Sequence, residues 1–281
     1  MGVLANLIWE GFVNVLAKLY NNLVTSLTGG MLNSMAAALQ ILDSTYVRNV
    51  IVDAQVIGGS LLTLKILYDT LYTYILRANG EPTDPGGLLF RVSMAAAVVG
   101  GAPWIARQVY SACTDLATEI AGSQAIDSSQ LSPFVALTNP GVIITLVAIA
   151  GLVLWILILI QTGVRAVELA VLSITGSVMA VGLTSPDQGT FAAWWRELVV
   201  LSMSQVIQIF LVKGALSSLT LVSVGTVMQM FFFLGWLWVA YRTPAVLRQF
   251  AYSTGIGGAA AGTAQQAGYL LIMRRIFTRG V

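Results

Sequence analysis

The sequence predicts an all-α, polytopic helical membrane protein with five to six membrane-spanning segments and an N-terminal amphipathic helix. Three observations carry that prediction. Apolar residues fill 57% of the 281 positions and charged residues only 9%, whereas an ordinary globular domain is about 25% charged. Long uncharged runs recur, and lipid offers no partner to an unpaired backbone group, so such runs must be helices. No ten-residue alternating pattern of the kind a membrane barrel needs is present.

Residues 3–27 place Leu4, Leu7, Ile8, Phe12, Val15 and Leu19 at helical spacing, with Asn6, Glu10, Asn14 and Lys18 on the opposite stripe. That is the pattern of a helix lying along an interface. Gly29 and Gly30 end it, and MLNSMAAALQIL predicts a second short helix. These residues, 1–50, form the expected interfacial N-terminal region. The transmembrane region is expected over 51–242, and a Gly-rich basic tail over 243–281.

The first span is expected at about 52–77. It carries Asp53, Lys65 and Asp69, so it cannot face lipid all round; Lys65 and Asp69 stand four apart, where an ion pair can form. After the turn-rich ANGEPTDPGG, a second span is expected at about 88–110. Its small residues SMAAAVVGGA permit close helix approach, and Pro103 predicts a kink. Residues 111–140 are polar, with Asp115, Glu119 and Asp127 and no base. They predict a loop holding one short helix.

GVIITLVAIAGLVLWILILI, at 141–160, is twenty uncharged residues, about 30 Å of helix and one hydrocarbon thickness. QTGVRAVE interrupts it with Arg165 and Glu168, and a separate span follows to about 184. SPDQGTFAAWWRE predicts a loop re-entering through an aromatic pair, Trp194 and Trp195. Residues 197–241 hold one internal charge, Lys213. One helix of that length would be about 67 Å, so either it folds back near residues 214–218 or part of it is not in lipid.

Charge distribution suggests an orientation. Residues 242–281 contain Arg242, Arg248, Arg274, Arg275 and Arg279 with no acid, a net of +5, while residues 1–241 carry −3. Basic residues favour the cytoplasmic side, which places the C-terminus inside and the base-free 111–140 loop outside. Opposite sides require an odd number of crossings between them, yet the segments above number four. Either one segment re-enters without crossing, or the acidic loop is inside.

Catalysis is poorly supplied. The chain has no His, the commonest acid–base group and metal ligand. A single Cys, Cys113, excludes an internal disulfide and a Cys-cluster metal site. GIGGAAAG, at 255–262, has neither a Lys-Ser/Thr ending nor a preceding strand, so it does not suit a phosphate loop; it suits a helix-packing seam or a hinge. No secretory signal is evident, since Glu10 precedes the first base, Lys18. No enzyme, cofactor or metal is expected.

The charges Lys65, Asp69, Arg165, Glu168 and Lys213 read either as a polar pathway or as paired and anchoring groups. Ser202, Gln205 and Gln208 recur three apart on an apolar helix, which suits helix–helix hydrogen bonding or a wet wall. The five terminal arginines suit anionic lipid or nucleic-acid phosphate.

RAVELAVLSITGSVMAVGLTSPDQGTFAAWWRELVVLSMSQVIQIFLVKGAL, at 165–216, resembles the core of TrbL-like conjugal-transfer membrane proteins of type IV secretion systems. It has a charged helix entry, a span of small and polar residues, an aromatic pair before Arg-Glu-Leu, and a Gln-bearing helix. YRTPAVLRQFAYSTGIGG is similar to the segment after the last span in small members. The resemblance covers 165–262 closely and the rest by layout. It implies a multi-pass protein of the cytoplasmic membrane with an outside N-terminus and a cytoplasmic C-terminus. It further implies a homo-oligomeric channel or scaffold subunit moving DNA or protein, alongside other secretion subunits that include a traffic ATPase. Lys65, Asp69, Gln205, Gln208 and Lys213 become candidates for pore lining or subunit contact. Rival readings are a small-solute permease, which would show repeats that this chain lacks, and a non-transporting scaffold.

Overall fold

Ser44 starts the first long helix: its hydroxyl accepts from the Val47 N–H, satisfying one donor that the helix cannot. The computed structural model describes residues 30–122, 142–185, 189–219 and 226–254, with Gly11, Asn14, Val15 and Lys18. Among these, every regular element is helical. Helix α1 spans Gly30–Leu42, α2 Thr45–Ala78, α3 Pro85–Gly122, α4 Val142–Met179, α5 Gly189–Ser218 and α6 Thr226–Thr254. A 3-10 turn over Ala180–Thr184 extends α4. Five of the helices, α2 to α6, are long and apolar enough to cross a membrane.

Local chemistry sets the ends. Helix α2 stops where Gly80 takes a φ of +78°, a left-handed conformation that glycine adopts without steric cost. Helix α3 starts with Pro85 in the first turn, and the Asp84 carboxylate accepts from the Gly87 N–H at 2.9 Å.

The spans depart from their sequence-based bounds in three places. Helix α3 continues through residue 122, so 111–122 is helical rather than loop; 123–141 lie outside the described residues. The expected spans at 141–160 and 164–184 are one helix of 38 residues with its 3-10 extension. The interruption at QTGVRAVE is real in composition but not in backbone, because a partner described below receives Arg165. The reversal expected near residues 214–218 is not there: those residues are the last turn of α5, which ends at Ser218, and α6 begins at Thr226. Of the expected helix at 3–27, Gly11, Asn14, Val15 and Lys18 are helical and exposed; its other residues lie outside the described ones.

The chain forms two compact units. The first comprises 1–40, 110–167 and 202–245. Its core packs Met31 and Met35 of α1 with Ala117 of α3, Trp155 and Ile158 of α4, Val206, Ile209 and Val212 of α5, and Phe233 and Leu237 of α6. Gly214 admits the Trp236 ring, which a Cβ there would meet at 2.9 Å.

The second unit comprises 41–109, 168–201 and 246–281. Leu62 of α2 packs with Ala95 and Val99 of α3 and with Ala180 and Leu183 of the 3-10 turn. Gly58 lies against the Ser177 backbone, so a Cβ at 58 would stand 2.6 Å from that carbonyl oxygen. The Trp194 indole donates to the Leu172 carbonyl at 2.8 Å, its ring seated on Gly176. Asp43 accepts from Arg107 at 2.8 and 2.9 Å and from Arg48 at 2.9 Å.

Candidate functional site

Proline inside a helix has no N–H to give the carbonyl four residues back, and its ring pushes that turn open. Helix α6 contains Pro244, so the Ala240 carbonyl loses its normal donor; Tyr241 is the next carbonyl along. In the first unit, two glutamines meet these oxygens. Gln208 of α5 donates from Nε2 to the Ala240 carbonyl at 3.2 Å. Gln161 of α4 donates to the Tyr241 carbonyl at 3.2 Å. Gln208 also donates to Gln161 Oε1 at 3.3 Å, and its own Oε1 accepts from Arg165 Nη1.

The direction of this chain is dictated by its ends. A guanidinium can only donate and a peptide carbonyl only accept, so each carboxamide must turn its oxygen toward Arg165 and its nitrogen toward α6. Gln161 and Arg165 stand four apart on α4 and therefore share a face. Arg165 is 3% exposed and Gln208 0%. Thr243, beside the proline, returns its hydroxyl to the Val239 carbonyl at 2.8 Å, a bond that itself favours bending.

In the second unit a proline takes the donor from the Val99 carbonyl, four residues back, and a glutamine reaches the neighbouring carbonyl. Pro103 interrupts α3, and Gln55 of α2 donates to the Gly100 carbonyl, three residues back, at 2.9 Å. Pro103 was expected to bend its helix, but nothing local pointed to Gln55 beside it.

The remaining candidate residues divide between the units. In the first, Gln205 is 1% exposed and lies beside the buried Tyr110 hydroxyl, the two closing no hydrogen bond of normal geometry. The Lys213 ammonium donates to the Ala121 carbonyl in the last turn of α3. In the second, Lys65 and Asp69 pair at 2.7 Å, with the ammonium 5.2 Å from the Tyr68 ring centroid. Arg248 bridges Glu168 at 3.3 Å and Glu197 at 3.2 Å, while the Tyr252 hydroxyl donates to Glu197 at 2.8 Å. Arg242 is exposed. Arg274, Arg275 and Arg279 lie outside the described residues. Among the described residues no group of His, Cys, Asp or Glu could hold a metal ion.

Helix α2 adds a feature visible only once its buried face is known. Ala54, Gly58 and Leu62 face inward, while Asp53, Ser60, Thr63, Thr70 and Tyr74 are exposed, at successive steps of seven, three, seven and four residues. Ser60 and Thr63 return their hydroxyls to the carbonyls one turn back at 2.9 Å.

Five of the described helices are long and apolar enough to cross a membrane, as in a polytopic membrane component. A family model described as conjugal transfer protein TrbL matches residues 1–279. The chain belongs to the TrbL family. No curated protein and no solved structure gives a significant match. As a TrbL-family member it is a multi-pass membrane component of conjugal transfer and type IV secretion, in a family not known for enzymes. The match extends well beyond the 165–262 segment that carries the sequence resemblance.

Proposed function

We propose that this TrbL-family chain is a channel or scaffold subunit of a type IV secretion machine, assisting DNA or protein across the cytoplasmic membrane. The observation that carries the reading is the family match over almost the whole chain. It assembles with further copies of itself and with other secretion subunits, including a traffic ATPase that supplies the energy. The N-terminus lies outside and the C-terminus in the cytoplasm, where Arg242, Arg274, Arg275 and Arg279 engage anionic headgroups or the transferred nucleic acid. Arg248 takes part through its two carboxylate partners.

The exposed stripe of α2 supports a hydrated or subunit-facing surface. A carboxylate inside a span is costly against acyl tails, and α2 has only 17% of its most apolar window buried. Asp53 and its hydroxyl neighbours therefore face water or another subunit, with Lys65 and Asp69 on the adjoining half-buried face. Gln208 and Lys213 contribute from within the first unit by tying α5 to α4, α6 and α3, and Gln205 lies buried on the same helix. Gene deletion with complementation tests the reading. Transfer is expected to stop without the chain and to return when it is supplied in trans; undiminished transfer in its absence refutes the proposal.

A further inference from the structure

We propose that Gln161, Gln208 and Arg165 form a releasable clasp on the bend of α6 at Pro244, and that this bend is a moving part of the transfer machinery. The second half of the proposal rests on the transfer-subunit reading above; the first does not.

The clasp follows from the geometry. The carboxamide nitrogens of Gln208 and Gln161 reach the Ala240 carbonyl, which Pro244 deprives of its donor, and its neighbour Tyr241, while Arg165 Nη1 holds the Gln208 oxygen. Both Gln208 amide hydrogens are spent, one on Ala240 and one on Gln161. An alanine at 244 would restore the backbone donor to the Ala240 carbonyl.

Release follows from the energetics. The chain buries a guanidinium and two carboxamides among apolar side chains, which is costly unless each is well paired. The bonds at 3.2, 3.2 and 3.3 Å lie at the long end of the N–H···O range, and neutral bonds of that kind contribute little net stability. When Gln208 turns away, the Ala240 carbonyl gives up its carboxamide donor, and α6 takes a different bend.

Suppression between substitutions tests the clasp in full-length protein purified in mild detergent. Gln208→Leu is expected to lower the thermal midpoint by several degrees. Pro244→Ala in the same chain should recover part of that loss, since the Ala240 carbonyl then has a backbone donor, while Arg165 stays without its Gln208 acceptor. If Gln208→Leu does not accumulate, Gln161→Leu reads the same coupling. Additive effects of the two substitutions overturn the clasp. For the moving part, Pro244→Ala alone should keep the thermal midpoint yet reduce transfer by about tenfold or more, as hinge substitutions do. Transfer at the unaltered frequency overturns the moving part, whatever the midpoints show. Transfer that survives loss of the whole gene overturns the transfer reading and the moving part together, while the suppression result still decides the clasp.

Discussion

Asp43, between α1 and α2, shows how much one exposed side chain can and cannot do. Its carboxyl is held down from 3.8 to about 2, first by the hydrogen bonds from Arg107 and then by those from Arg48. A folded-state pKa below the unfolded value stabilises the fold above the unfolded pKa, and that stabilisation is lost as pH falls through the folded one. Asp43→Asn is therefore expected to lower the denaturation midpoint at neutral pH, and the gap should close as pH drops from 3.8 toward about 2. Both partners are exposed, so the loss is small; Arg107→Ala should reproduce it, and the double variant should add little. A gap that persists at the acid end contradicts the assignment. Composition alone could mark Arg165 as an expensive residue in an apolar stretch but not where it was directed. Its acceptor lies 43 residues away on α5, and no local pattern contains that distance. The Gln205–Gln208 spacing was legible as a polar stripe; that Gln208 serves a proline on a third helix was not.

Between elements, the small residues that sequence marks as packing seams separate into those that matter and those that do not. Gly58 and Gly59 are adjacent and read alike in the sequence. A Cβ on Gly58 would meet the Ser177 carbonyl oxygen at 2.6 Å, a backbone atom that cannot step aside, whereas a Cβ on Gly59 meets nothing within 4 Å. Gly58→Ala should thus destabilise by about 1–3 kcal/mol, while Gly59→Ala should be neutral or stabilising by up to about 1 kcal/mol through helix propensity. Chemical denaturation in detergent measures both, and equal effects would refute the close approach of α2 and α4. The same limit explains which spans were legible. The short α1, the two spans before residue 111 and the need for a break within 197–241 follow from length, turn residues and apolar runs, which are local properties. The join of 141–160 to the following span does not, because hydropathy falls at Gln161 and Arg165 for a reason that only their partners supply. Helix α3 likewise carries its polar residues Asp115 and Glu119 in its last turns, where composition reads as loop although the backbone is already helical.

At the scale of the whole molecule, merging the two segments into α4 changes the topology by one crossing and removes a contradiction. With 141–184 as two spans, the acidic stretch after α3 and the basic tail would share a side, against the distribution of their charges. With α4, α5 and α6 as single crossings, three spans separate them and they fall on opposite sides. Neither a re-entrant segment nor an inside acidic loop is then required. If each of the five long apolar helices crosses once, residues 79–84 and 185–188 share a side with the basic tail, and 123–141 and 219–225 lie on the other. The first group is flanked by Arg77, Arg91, Arg196 and Arg242, as expected of the cytoplasmic face. Single cysteines placed in a Cys113→Ser background at 83, 130, 187 and 222 should therefore react with an impermeant thiol reagent in intact cells only at 130 and 222. After permeabilisation, 83 and 187 should react as well. Labelling of 130 and 187 from the same side would break α4 into two crossings after all, and with it the burial of Arg165 in mid-helix on which the glutamine clasp depends.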